Sequence, residues 1–289
     1  MTEATELVEG YRTGALSPVE ATQQALDAIE RYDDQVNAFV LVDAEGALAA
    51  AKESETRWHA GTPLGPGDGV PTSIKDALWT KGWPTLRGST MIDPAGPWDE
   101  DAPSVARLRE TGAVILGKTT TPEYSWKGVT DSFTYGATGN PWDPARTSGG
   151  SSGGSATAVG LGMGVWSLGT DGGGSVRIPA AFTGTVALKP TYGLIPLFPP
   201  SAFGTLSHAG PRPGPYAMRL PCSTWSPGST RATGLRCRHR PGPSWTASTT
   251  AWPVCGSVSR PILVLLTIIR RSTRWSAPRS ASSRTSAPR

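Results

Sequence analysis

The stretch GTDGGGSVRIP, Gly169 to Pro179, sets three consecutive glycines before a serine at the entrance to a helix-like segment. Such a turn gathers several backbone N–H groups around the Ser175 hydroxyl, because glycine accommodates the dihedrals and the close approach. The chemistry on offer is nucleophilic: serine attacks a carbonyl carbon while the N–H groups stabilise the oxyanion. A serine needs a base, and the chain has only His59, His208 and His239, none within a motif. That speaks against a Ser-His-Asp triad. The other known activator is a lysine kept neutral by burial and neighbours. Of six lysines, Lys75 closes the apolar run VPTSIK, where a buried ammonium is costly unless deprotonated or hydrogen-bonded. The same position equally suits a surface lysine at a strand end. Upstream, GGSSGGS (Gly149 to Ser155) has the composition of a flexible linker or an anion cradle, but its neighbours favour neither.

The elements that must position these groups are legible in outline. Ser17 and Glu20 fit a capping box, Pro18 suits the first helical turn, and Ala21, Ala25, Leu26 and Ile29 form an apolar stripe reaching Tyr32. A second helix is predicted from Asp43 to His59, ending at Gly61. Val70 to Lys75 reads as a buried strand, Asp101 as the cap of a helix to Thr111, and Ala113 to Leu116 as the next strand. Gly153 to Gly164 reads as a helix of small residues and Val165 to Leu168 as a strand. This alternation predicts an α/β domain around a central sheet. Trp79, Trp83, Trp126 and Trp142 are candidates for core or for pocket walls.

At this point the residues resemble a known family. The run from Gly149 to Gly193 is similar to the signature of the amidase signature family of serine hydrolases, and GVPTSIKD (Gly69 to Asp76) resembles that family's lysine motif. NPWDPARTSGG, GAVILGKTTTPE and VNAFV fit the same pattern, so the resemblance covers roughly residues 5 to 211. It implies an α/β amidase signature fold with a central mixed, twisted sheet flanked by helices. It also implies a Ser-Ser-Lys relay in which Ser175 is the nucleophile, Ser151 a bridging serine held through a cis peptide, and Lys75 the base. Backbone N–H groups of Gly172, Gly173, Gly174 and Ser175 would form the oxyanion hole. Ser152 would hydrogen-bond within its loop, and Asp171 and Arg177 would brace the site as an ion pair. The implied substrate is a small-molecule amide, with neither a metal nor an organic cofactor.

Two branches of the family compete. In the A-type component of glutamyl-tRNA amidotransferase, the residue before the proline of the nucleophile motif is typically glutamine; here it is Ile178. That component reads like SSLDQIGP where this chain has FGTLSHAGP, without the aspartate expected of a polar glutamine site. Both departures favour a stand-alone amidase, and Leu197 and Phe198 suggest a less polar pocket.

Charge splits the chain in two. Residues 1–211 hold 14 Lys and Arg against all 23 Asp and Glu, whereas residues 212–289 hold 13 Arg and no Lys, Asp or Glu. The second part is rich in Pro, Ser and Trp and contains all three cysteines, a composition expected of a GC-rich coding sequence translated out of frame. The expectation is an amidase domain over 1–211, incomplete because its C-terminal part is lost, followed by a disordered, frameshifted tail and with activity in doubt. Nucleic-acid binding by the arginines is the alternative for the tail and is not expected. The cysteines have no metal-ligand spacing, and the longest apolar run, PILVLLTII, is about half the ~20 residues of a membrane helix. A cytoplasmic chain without membrane contact is expected, and homo-oligomerisation is left open.

Overall fold

The computed structural model describes residues 4–213; the remainder of the expected tail lies outside the described residues. In chain order the main elements are α1 (Ala4–Thr13), α2 (Pro18–Val36), β1 (Phe39–Val42), α3 (Ala44–His59), β2 (Pro71–Lys75), α4 (Pro103–Glu110) and β3 (Val114–Thr119). Two short ribbons follow, β4 (Asp131–Ser132) with β5 (Gly136–Ala137) and β6 (Gly139–Asn140) with β7 (Asp143–Thr147). The chain then runs through α5 (Gly153–Gly160), β8 (Trp166–Asp171), α6 (Arg177–Thr183) and β9 (His208–Pro213).

The five-stranded sheet has the order β1-β3-β2-β8-β9, with β2 parallel to both β3 and β8 and the two outer strands antiparallel. It is the mixed central sheet expected. Side-chain alternation divides the core between its faces. Val114 and Leu116 of β3 pack with Ala25, Leu26 and Ile29 of α2, Ala47 and Ala51 of α3 and Ala158 of α5. Ile115 joins Ile74 of β2, Trp166 and Leu168 of β8, and Val105 and Leu108 of α4 on the other side. Helices therefore cover both faces, and the carboxyl ends of β2, β3 and β8 point to one edge, where ligands of parallel sheets bind.

Local chemistry explains most element ends. Ser17 and Glu20 form the full capping box on α2, and the Asp43 carboxylate accepts from Gly46 N at 2.9 Å to start α3. Asp101 is a correction: α4 begins after Ala102 with no side-chain cap. The Asp101 carboxylate instead accepts from Lys81 N at 2.7 Å and from Arg109 Nε at 3.0 Å, tying the preceding loop to the far end of the helix. Helix α5 is also shorter than expected, stopping at Gly160, and β3 runs on to Thr119, carrying Lys118 into the sheet.

The glycines of GGSSGGS serve close packing. A Cβ at Gly154 would lie 2.5 Å from Thr120 N and 2.6 Å from Ala38 O, so only glycine lets the start of α5 lie against the end of β3.

Candidate active site

Lys75 is the last residue of β2 and fully buried. Its Nζ donates to Ser151 Oγ at 2.6 Å and to Thr170 Oγ1 at 2.8 Å. The surface-lysine alternative is thereby excluded. Ser151 sits just before α5, fully buried, after a cis Gly150–Ser151 peptide bond. Ser152 departs from expectation: its hydroxyl does not bond within the loop but donates to Thr170 O at 3.1 Å, while its N–H donates to Ser175 O at 3.0 Å. The GGSSGGS stretch is thus fastened to the end of β8 on one side and to the glycine turn on the other.

Ser175 lies between β8 and α6, half-buried, in the wall of a cavity of about 320 Å³ that Ser151 and Thr170 also line. Gly172 and Gly173 border the same space, and a Cβ at Gly173 would meet nothing within 4 Å. Gly174 does not fit the expected set of oxyanion donors, because its N–H already donates to Asp171 Oδ1 at 2.8 Å. The candidate donors narrow to Gly172, Gly173 and Ser175. The histidines stay outside: His59 ends α3, His208 meets the Leu206 carbonyl at 2.8 Å, and neither lines the cavity. His239 lies outside the described residues.

Asp171 and Arg177 form the expected ion pair, with both guanidinium contacts at 3.0 Å. Asp171 also accepts from Val176 N at 3.2 Å, so one buried carboxylate holds the whole turn around Ser175. Burial alone would raise its pKa, but Arg177 and the two N–H groups outweigh burial and hold the carboxyl below its ordinary value. A carboxyl depressed in the folded state contributes stability that is complete above about pH 4 and is lost as pH falls through the folded value. The Gly174 and Val176 amides should therefore lose hydrogen-exchange protection in acid, and Asp171→Ala should show that loss at neutral pH. Protection unchanged in the variant would dissociate Asp171 from the turn.

The remaining cavity wall is largely apolar and partly strained. Leu197, Phe198, Phe203 and Leu206 line it with Ile178, and Trp126 is the one of the four tryptophans above that does so. Trp79 and Trp83 pack against the core, and Trp142 is mostly exposed. Four non-glycine residues among those described have positive φ, and three of them, Arg87, Tyr124 and Ser125, line this cavity. Such conformations cost on the order of 1–3 kcal/mol each and persist where surrounding contacts impose them. Here Arg87 N donates to Asp76 Oδ2 and Tyr124 N to Arg87 O, both at 2.8 Å.

Asp76 belongs to a network that the motifs did not single out. On the sheet face opposite Lys75, fully buried Lys118 lies 2.9 Å from Asp76 Oδ1, and Tyr135 donates to Asp76 Oδ2 at 2.8 Å. Burial pushes the Lys118 ammonium below its ordinary pKa, opposed by the charge of Asp76. The signal was present in the sequence, since Asp76 adjoins Lys75 and Lys118 lies in GAVILGKTTTPE.

Among the described residues no helix is long and apolar enough to cross a membrane. Comparison with known proteins agrees on one lineage. The chain is 48% identical to the A-type component of the glutamyl-tRNA(Gln) amidotransferase of Salinispora tropica over 191 residues, 66% of this chain and 38% of that protein. Its counterpart from Acidothermus cellulolyticus is 44% identical over 209 residues, 72% of this chain and 41% of its own length. The chain thus spans about two-fifths of these curated relatives. A crystal structure described simply as an amidase superposes with a TM-score of 0.68 at 39% identity, over 73% of this chain and 48% of that one. A bacterial aryl acylamidase of the amidase signature family gives 0.64 at 33% identity, over 73% and 44%. With the family model described as Amidase matching residues 20–212, well over half its length, the chain belongs to the Amidase family.

Proposed function

We propose that the protein is built to hydrolyse small-molecule amides through a relay of Lys75, Ser151 and Ser175. The observation that carries this reading is the fully buried Lys75 amine, 2.6 Å from the Oγ of Ser151, a residue that lines the same cavity as Ser175. Working from its neutral form, the amine takes the Ser151 proton as Ser151 takes the proton of Ser175. The Ser175 oxygen then bonds to the amide carbon. Negative charge collects on the former carbonyl oxygen, where the N–H groups of Gly172, Gly173 and Ser175 are the available donors. Running the relay backwards protonates the leaving nitrogen, which could not depart as an anion. Water then cleaves the Ser175 ester by the same route.

A fluorophosphonate, which phosphonylates activated serines, tests this directly. It should label the full-length chain at Ser175 and fail to label Ser175→Ala. Labelling that persists in the variant would assign the nucleophile elsewhere.

A second reading, an A-type amidotransferase component that takes ammonia from glutamine, is favoured by the names of the curated relatives. Against it stands apolar Ile178 in the cavity wall. Faster ammonia release from glutamine than from apolar amides would reverse that preference. The tail is read as out of frame because the change of composition at residue 212 coincides with the end of the family match. Resequencing the coding DNA around codon 212 tests it: a one- or two-base correction should restore an acidic, family-like continuation.

A further inference from the structure

The cavity carries more positive charge than its relay needs. No Asp or Glu lines it among the described residues, whereas Arg87 and Lys127 do. Lys127 is paired with Asp131 four residues on. Arg87 is different. Its backbone is fixed at both ends, N–H to Asp76 and carbonyl to Tyr124, in a left-handed conformation of φ 54°. Its side chain is partly buried, and no carboxylate lies within ion-pair distance of its guanidinium among the described residues. Burial lowers its pKa from the ordinary value, against the opposing influence of Tyr124 and Asp76. A half-desolvated guanidinium, on a residue that lines a cavity without acids and whose backbone is pinned, has the charge of Asp76 in its surroundings but no ion-pair partner.

We propose that Arg87 is a specificity-determining residue that binds an anionic group, a carboxylate, on the acyl side of the substrate. The guanidinium offers a planar donor fork matched to a carboxylate. The apolar wall of Leu197, Phe198 and Phe203 suits the methylenes between that carboxylate and the amide. An acyl chain bearing an ammonium finds no acidic partner in this lining. The preferred class is therefore the monoamide of a dicarboxylic acid, ahead of neutral alkyl amides and ahead of glutamine, whose added ammonium is unmatched. This inference rests on the amidase reading for its notion of an acyl side.

The test separates the two. Affinities of succinamate, glutaramate and adipamate are measured by titration calorimetry on the full chain at low salt, against butanamide, pentanamide and hexanamide, with L-glutamine alongside. At least one carboxylate ligand should bind ten-fold or more tightly than its neutral partner and more tightly than glutamine. Arg87→Gln should erase that difference, and Arg87→Lys, which keeps the charge and loses the fork, should retain part of it. Equal affinities within every pair, no binding of any ligand, or a preference that survives Arg87→Gln would each overturn the proposal. Because these are binding measurements, an Arg87-dependent preference in a chain whose Ser175 resists the fluorophosphonate would leave the proposal standing and remove the relay.

Discussion

Ser175→Ala, Lys75→Ala and the variant carrying both substitutions are expected to fall to nearly the same residual amide hydrolysis, about 10⁴-fold or more below the parent. The reason is that the groups act as one unit. Without Ser175 there is no acyl acceptor, and without Lys75 the Ser151 hydroxyl, fully buried with the amine 2.6 Å away, has no proton acceptor to pass to. Removing the second member of a broken relay removes nothing further. Turnover of a chromogenic anilide by the three proteins, with unfolding midpoints measured beside it, distinguishes this from independent contributions. Multiplicative losses, or a Lys75→Ala protein with near-parental turnover, would rule the relay out.

Asp76→Ala is expected to destabilise the fold by about 3–5 kcal/mol, the cost of leaving one partner of a buried ion pair alone. Lys118 would keep an ammonium with no solvent contact, and the Tyr135 hydroxyl and Arg87 N–H would each lose an acceptor at 2.8 Å. Adding Lys118→Met should return part of the loss, since no buried charge then remains. Urea unfolding followed by tryptophan fluorescence reads both numbers. A single variant within about 1 kcal/mol of the parent, the size of an ordinary surface pair, would mean that water reaches Lys118. Because Asp76 also anchors Arg87, the single variant should weaken any carboxylate preference as well.

Lys75 and Ser175 were legible because each stands in a short run whose neighbours are constrained, whereas Ser151 was legible only through the family resemblance of its run. Lys75 ends a strand, and Ser175 follows glycines that a tight turn requires. The capping box of α2 and the Asp43 start of α3 were legible for the same local reason. What escaped was non-local. Asp101 has the residue type of a cap, but its carboxylate is drawn to Lys81 and Arg109, twenty and eight residues distant. The strand expected to end at Leu116 runs on through Gly117. In the structure a Cβ there would collide with the Leu41 carbonyl oxygen, so the glycine admits the neighbouring strand and pairing continues through Lys118. Gly174 N–H could be assigned to Asp171 only after the turn had folded back on the end of β8.

Beside the apolar contacts of Ala158, the surroundings of α5 and the sheet carry paired hydroxyls where methyl groups would have served for packing. Thr119 meets Ser155 at 2.7 Å, Thr120 meets Thr138 at 2.6 Å, Ser73 meets Ser167 at 2.9 Å, and Thr170 and Ser151 meet the Lys75 amine. A hydroxyl is a rotor that exchanges giving for receiving by turning about one bond. The layer beside Lys75 can therefore answer the arrival or departure of a proton by reorienting hydrogens while every heavy atom stays in place. A wall of valines would have to shift its packing to do the same, and a wall of carboxylates would trap the charge.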